Sequence, residues 1–180
     1  MVLFSLTLMI LFLLITGYRE SQLHQRALAQ LPIRIHINGS RGKSSVTRLV
    51  AAGLRAGGLK TLAKTTGSAP RVIDELGNDK VIHRLRSASI GEQVKLIRAF
   101  ARQKPDAVVF ECMAVMPQYQ WVAEHKMIHS TIGVMTNVRP DHIDEMGPRM
   151  EDICNSLGNT VPFSGIMLTA EHKHAQQLEE

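Results

Sequence analysis

The run Ile33-Arg34-Ile35-His36-Ile37, continued by Asn38-Gly39-Ser40-Arg41-Gly42-Lys43-Ser44-Ser45, constrains the fold more than any other stretch of this chain. Apolar residues alternate with polar or basic ones, as in a strand. Two glycines then break the pattern, and Lys43 opens a helical one. Strand, glycine-bearing turn and helix start together build a phosphate-binding loop. The glycines let backbone N–H groups turn inward, and the helix adds the positive end of its dipole. In such a loop Lys43 reaches the β- and γ-phosphates and the Ser44 hydroxyl holds Mg²⁺. The spacing is the shorter G-x-x-G-K-S, from Gly39 to Ser44, since Ile37 stands where the longer form has its first glycine. Alone, that short form also describes a turn and a helix cap. The strand before it and the helix after it favour phosphate, with Asn38, Gly39, Ser40, Arg41, Gly42, Lys43, Ser44 and Ser45 as the nucleotide-binding residues.

From Ile33 onward strands and helices alternate. Val46, Leu49, Val50, Gly53 and Leu54 mark one helix face, and Gly57-Gly58 ends that helix. Leu59–Ala63 reads as a short strand leading into Lys64-Thr65-Thr66-Gly67-Ser68-Ala69-Pro70-Arg71, a hydroxyl- and glycine-rich turn. Asp74 to Ser89 is ambiguous, with a small hairpin about Asn78-Asp79. A helix is expected over Ile90–Gln103, and a buried strand over Ala107–Phe110 with Glu111 at its end. Further on come a short helix over Pro117–Lys126, a strand over Thr131–Met135, a helix over Pro148–Asn159 and a strand over Ile166–Thr169. This order predicts an α/β fold of the phosphate-loop type, a mostly parallel sheet with helices on both faces.

Three polar sites fall at strand ends: the loop at Gly39–Ser45, Glu111, and Asp141-His142. Each has a plain alternative, since Glu111 suits a loop acid and Asp141 a helix cap. Together they describe a nucleotide site at the place where an open α/β sheet binds its ligands. Oxygens of Ser44 and Glu111 suit one Mg²⁺, and the His142 imidazole with water and phosphate suits a second ion.

Val2–Gly17 carries no charge and is almost wholly apolar, near the lower length limit for a membrane-spanning helix. Tyr18 and Arg19 follow as interfacial aromatic and positive stop, and no Lys or Arg precedes the run. The expected organisation is a transmembrane helix over 1–18, a helical stalk over 19–31 and an ATP-binding domain over 32–180. The arginines beyond the apolar run place that domain in the cytoplasm. The net charge of +5 favours anionic partners. No basic cluster is interleaved with aromatics, so nucleic acid is not expected. Cys112 and Cys154 have no metal-ligand spacing and read as packed residues in a reducing compartment.

NGSRGKSSVTR, KTTGSAPR, FECMAV and NVRPDHIDEMGP resemble, in order, the ATP-binding central domain of the Mur-type amide ligases, the family that includes folylpolyglutamate synthase. Within it the likeness is strongest to the membrane-anchored ligase subunits of poly-γ-glutamate (capsule polymer) synthases, and it covers residues 31–165. The resemblance implies an ATP- and Mg²⁺-dependent ligase that activates a glutamate carboxylate as an acyl phosphate and forms γ-glutamyl amides. It implies Lys43, Glu111 and His142 as catalytic residues, Thr65 or Thr66 as the second hydroxyl near the γ-phosphate, and Ser44, Thr66, Glu111 and His142 as metal ligands. Many Mur ligases carry a carbamylated lysine after that histidine, whereas Cys154-Asn155-Ser156-Leu157-Gly158 has no lysine here, which leaves the second metal site in question. Implied partners are glutamate, the growing polymer, small integral-membrane subunits and further copies of the chain. The resembling ligases continue into a C-terminal domain, so this chain alone is expected to bind nucleotide and to ligate little. The competing readings are a non-catalytic nucleotide-binding membrane subunit and a membrane-bound NTPase or small-molecule kinase.

Overall fold

A strand covered on both faces must be apolar at successive residues. β5 (Ala107–Glu111) meets that condition until its last residue, and all of it is buried. The computed structural model describes residues 2–67, 69–83 and 89–179. In it β5 lies at the middle of a seven-stranded sheet of order β4-β3-β2-β5-β1-β6-β7. β1 (Ile33–Asn38) pairs in parallel with β5 and with β6 (Ile132–Met135). β2 (Thr61–Thr65) runs parallel to β5, and β7 (Ile166–Thr169) parallel to β6. The mostly parallel sheet is therefore as the sequence indicates. An antiparallel hairpin, β3 (Arg71–Ile73) and β4 (Asp79–Val81), is added at one edge. The sequence suggests that hairpin only by its turn, because strands of three residues are too short to show a period. Residues 84–88 of the ambiguous stretch lie outside the described residues, as does Ser68.

Helices cover both faces. α2 (Lys43–Ala56) lays Val46, Val50, Ala51 and Leu54 over Ile35, Ile37, Ala63 and Val109. On the opposite face α3 (Glu92–Ala101) packs Ile97, Phe100 and Ala101 on Leu62, Val108 and Phe110. α4 (Pro117–Val122) runs on as a π-helix, Ala123–Ile128, whose Ile128 joins that core. α5 (Ile143–Met146) is a single turn that the sequence does not reveal. α6 (Met150–Gly158) and α7 (Ala175–Glu179) complete a third cluster about Met135, Ile153 and Leu157.

α1 spans Val2–Leu28 without a break, and its apolar part, Val2 to Ile15, projects from the sheet domain. It is long and apolar enough to cross a membrane. The stretch expected to be a stalk ends differently. Ala27, Leu28 and Leu31 are buried in the α3-side core, and Arg98 of α3 ion-pairs with Glu20 at 2.6 Å. Apolar residues at 27, 28 and 31 bury themselves wherever a partner surface is within reach.

The alternation in β1 does not mean that one side is wet. Arg34, His36 and Asn38 face α4 and the π-helix, where each finds a partner, His36 through Nδ1 alone. Arg34 donates to the carbonyls of Leu31 and His129, at 2.6 and 2.8 Å. His36 Nδ1 meets Glu124 Oε2 at 2.7 Å, and Glu124 Oε1 accepts from the Ser130 N–H and hydroxyl. Asn38 donates to Gln120 Oε1 at 2.7 Å and Thr160 Oγ1 at 3.0 Å. Buried polar groups survive in a core when each is paired.

Candidate functional site

The connection leaving β1 crosses to α2 on one face, and the connection leaving β5 crosses to α4 on the other. Adjacent strands whose connections diverge leave a crevice at their C-terminal ends. Ser44 at the start of α2 and Glu111 at the end of β5 face each other across it. The Ser44 hydroxyl lies 3.0 and 2.9 Å from the two Glu111 oxygens, and the Thr66 N–H donates to Glu111 Oε2 at 2.7 Å. Three chain segments far apart in sequence are joined here through one carboxylate.

The loop before α2 has the backbone its sequence demands. Gly39 and Gly42 have φ of 130° and 84°, which L side chains rarely adopt, and a Cβ on Gly39 would collide with Thr136 Oγ1. Gly42 caps α2 with no side-chain hydrogen bond, so the first N–H groups of the helix have no side-chain cap. Lys43 folds over the loop, its Nζ donating to the Gly39 carbonyl at 2.6 Å and the Ser40 carbonyl at 3.3 Å. The loop after β6 clamps it from outside. Asn137 accepts from the Arg41 N–H at 3.2 Å and donates to the Arg41 carbonyl at 2.9 Å. Thr136 Oγ1 donates to that same carbonyl at 2.7 Å. Ser40 Oγ donates to the Arg139 carbonyl and accepts the Arg139 N–H, at 2.8 and 2.9 Å. These clamps escape sequence reasoning, although the NVRPDH segment that supplies them is conspicuous in it.

A cavity of about 530 Å³ opens at this point. Ser40 to Ser45, Thr66, Glu111, Asp141 and His142 line it, and Met113, Val115 and Met146 form an apolar wall. Of the residues expected to bind nucleotide, Asn38, Gly39 and Thr65 do not line the cavity. Asn38 does not reach the cavity, because its amide is turned to the opposite face and bonded to Gln120 and Thr160. Thr65 is buried as the last residue of β2, and Thr66, one step on, takes the lining position. Successive strand residues point to opposite sides, so one position decides the matter.

The oxygen-only pair of Ser44 and Glu111, beside a phosphate loop, fits a hard divalent cation such as Mg²⁺. His142 stands at the rim with φ 47°, half-exposed, 3.9 Å from Glu145. Asp141 is drawn to Arg41 at 3.1 Å rather than capping α5. Among the described residues no three of His, Cys, Asp and Glu gather into a metal site. Among the described residues, Ser44 and Glu111 could hold one ion, and a second would depend on His142 with groups from outside this set.

Behind the cavity wall lies a polar group that sequence reasoning misses. Cys112 lines the cavity beside Glu111 yet is buried, and it sits on the same face of the sheet as His36. Burial opposes a charged His36 ring, but the neighbouring Cys112 and the hydrogen-bonded carboxylate of Glu124 outweigh it, and the imidazole is pushed up to about 9, while its Nε2 makes no hydrogen bond. Burial likewise raises Glu124, and the bonds from His36 and Ser130 bring it below its ordinary range. Both cysteines are free and buried, as expected of packed residues.

The family described as the Mur ligase middle domain matches residues 37–167. Over 171 residues, 94% of this chain and 37% of the relative, the chain is 37% identical to the capsule biosynthesis protein CapB of Bacillus anthracis. It is 36% identical over 166 residues to the PGA synthase CapB of Bacillus subtilis (strain 168), covering 91% of this chain and 42% of that one. The chain thus spans about two fifths of the length of these relatives. Among solved structures, a bifunctional folylpolyglutamate synthase/dihydrofolate synthase with Mn, AMPPNP and L-glutamate bound superposes with a TM-score of 0.58. That match has 17% identity and covers 90% of this chain and 44% of the other, a likeness of fold.

Proposed function

The chain belongs to the Mur ligase middle-domain family, and from that premise we propose that it is the ATP-binding part of a membrane-anchored amide ligase that makes poly-γ-glutamate. The observation that carries this reading is the meeting of Ser44, Glu111 and the Thr66 N–H at the N-terminus of α2. The relatives named for capsule and PGA synthesis support the polymer, and the folylpolyglutamate synthase structure with AMPPNP and L-glutamate supports the substrates.

In the proposed reaction a glutamate carboxylate oxygen attacks the γ-phosphorus of ATP, the bond to the bridging oxygen breaks, and ADP leaves. An amine then attacks the acyl carbon, the C–O bond to phosphate breaks, and the amine proton passes to water or phosphate. The N–H groups of Gly42 to Ser44 hold the β- and γ-phosphates, and the Lys43 ammonium exchanges its loop carbonyls for their oxygens. Placing positive charge where the transferring group carries its negative charge is the main catalytic task in such a step. Bound Mg²⁺ would neutralise phosphate charge there, held by Ser44 and Glu111, with Thr66 beside it. Met113, Val115 and Met146 shield the acyl phosphate from water. Asp141 and His142, which line the same cavity, would meet the incoming acceptor. The domain is taken to lie in the cytoplasm, with small integral-membrane subunits and further copies of the chain as partners.

ATP binding by the detergent-solubilised chain, with and without Mg²⁺, tests the reading. Mg²⁺-dependent binding that Lys43→Ala abolishes supports it, and amide formation on adding glutamate and membrane subunits completes it. Binding indifferent to both Lys43 and Mg²⁺ would overturn it. Phosphorylated product without amide would favour a kinase.

A further inference from the structure

A second polar cavity, of about 490 Å³, lies far from the nucleotide site, between α1, α3 and the π-helix. Its walls carry Glu20, Ser21, His24, Gln25, Arg98 and Lys126, with His125 and His129 deeper in. Two groups in it lack partners. His24 is 94% buried (6% exposed), and its Nε2 donates to the Met127 carbonyl at 2.7 Å, yet Nδ1 has no hydrogen bond. Arg98 spends Nη2 on the Glu20 carbonyl and carboxylate, at 2.8 and 2.6 Å, while Nε stays buried and unpaired. Unsatisfied buried donors and acceptors are costly and call for a ligand or water.

The position of the cavity says which ligand. The apolar run of α1 ends at Gly17, where a membrane-spanning helix would leave the hydrocarbon core. α1 continues unbroken past Gly17, so Glu20, Ser21 and His24 stand about 5–10 Å beyond the apolar run. That is the depth of the lipid head groups. We propose that this cavity binds the head group of an anionic, hydroxyl-bearing phospholipid, its phosphate at Arg98 and Lys126 and its hydroxyl at His24 Nδ1. With Nε2–H engaged by Met127, a neutral His24 offers Nδ1 as an acceptor, which a hydroxyl satisfies and a bare phosphate oxygen does not. Glu20 opposes the anion and competes with it for Arg98 Nη2. The exposed Arg19 and Arg26 on α1 add attraction that depends only on charge.

The proposal rests on α1 spanning the bilayer, and the experiment separates the two. The full chain is reconstituted in phosphatidylcholine vesicles, and carbonate-resistant retention reads the anchor alone. Vesicles with one-fifth phosphatidylglycerol are then extracted gently, and the phosphatidylglycerol retained per chain is measured by mass spectrometry. Arg98→Ala and Lys126→Ala should each lower retention about five-fold, the factor expected from one basic residue at a lipid surface. Glu20→Ala should raise it, a change of sign that misfolding cannot produce. Soluble glycerol phosphate should not displace the lipid. The proposal is overturned if neither loss occurs, and a preference that only Arg19→Ala/Arg26→Ala removes would assign it to charge on α1 instead. It is overturned equally if glycerol phosphate or polyglutamate competes fully, which would make the cavity a soluble-anion site.

Discussion

At the scale of single residues, chemistry here depends on groups that touch through one carboxylate. Glu111 accepts from Ser44 and Thr66, so Glu111→Gln keeps the shape but removes the charge that would hold a cation. ATP binding should then lose its Mg²⁺ dependence, read by titration calorimetry with and without the ion. Gly39 is a residue of backbone geometry. Gly39→Ala should lower stability by roughly 1–3 kcal/mol, the usual cost of a strained backbone, and thermal melting would register it. Asn137 is a positioning residue whose side chain bonds to the backbone of Arg41. Asn137→Ala should weaken ATP binding about ten-fold while leaving the Mg²⁺ requirement intact, since one lost pair of hydrogen bonds is worth on the order of 1–2 kcal/mol. The same binding titration, repeated in the variant, would check both parts.

At the scale of elements, the π-helix after α4 turns Glu124 inward against His36 of the central strand. The His36 imidazole is raised from its ordinary value to about 9, so it binds its proton more tightly folded than unfolded. Its stabilising contribution is complete below about 6.5 and is lost as pH rises through 9. The melting temperature should fall across that window. In His36→Gln that fall should be absent, with a lower starting value. A melting series from pH 6 to 9.5 on both proteins would show it. Glu124→Gln should abolish the same fall, because it removes the carboxylate that holds the imidazolium.

At the scale of the molecule, α1 belongs to two environments. Its first part projects free, and its last turns are core. Deleting residues 2–17 should leave a folded, nucleotide-binding domain. Deleting as far as Leu31 removes Ala27, Leu28 and Leu31 from the α3-side core. Each buried leucine contributes about 2 kcal/mol, so the longer deletion should melt far lower or aggregate. Comparing the two deletions by melting temperature and solubility decides it. The polar cavity beside α1 stands at the same junction, between the projecting part of the helix and the sheet domain.

The alternation of Ile33–Ile37, the two glycines before Lys43 and the apolar run ending at Glu111 determine by themselves a phosphate loop on a mostly parallel sheet. They do so because period, backbone freedom and burial are local properties. The apolar run at Val2–Gly17 marks its helix for the same reason. Which of Thr65 and Thr66 lines the cavity, and that Asn38 turns away from it, depend on the pleat of strands set by distant pairings. The loop clamp from Asn137 and Ser40, the Cys112–His36–Glu124 group and the buried end of α1 rest on contacts between residues tens of positions apart. No local pattern encodes such contacts, because they form only when the sheet order brings those segments together. The tertiary structure alone decided them.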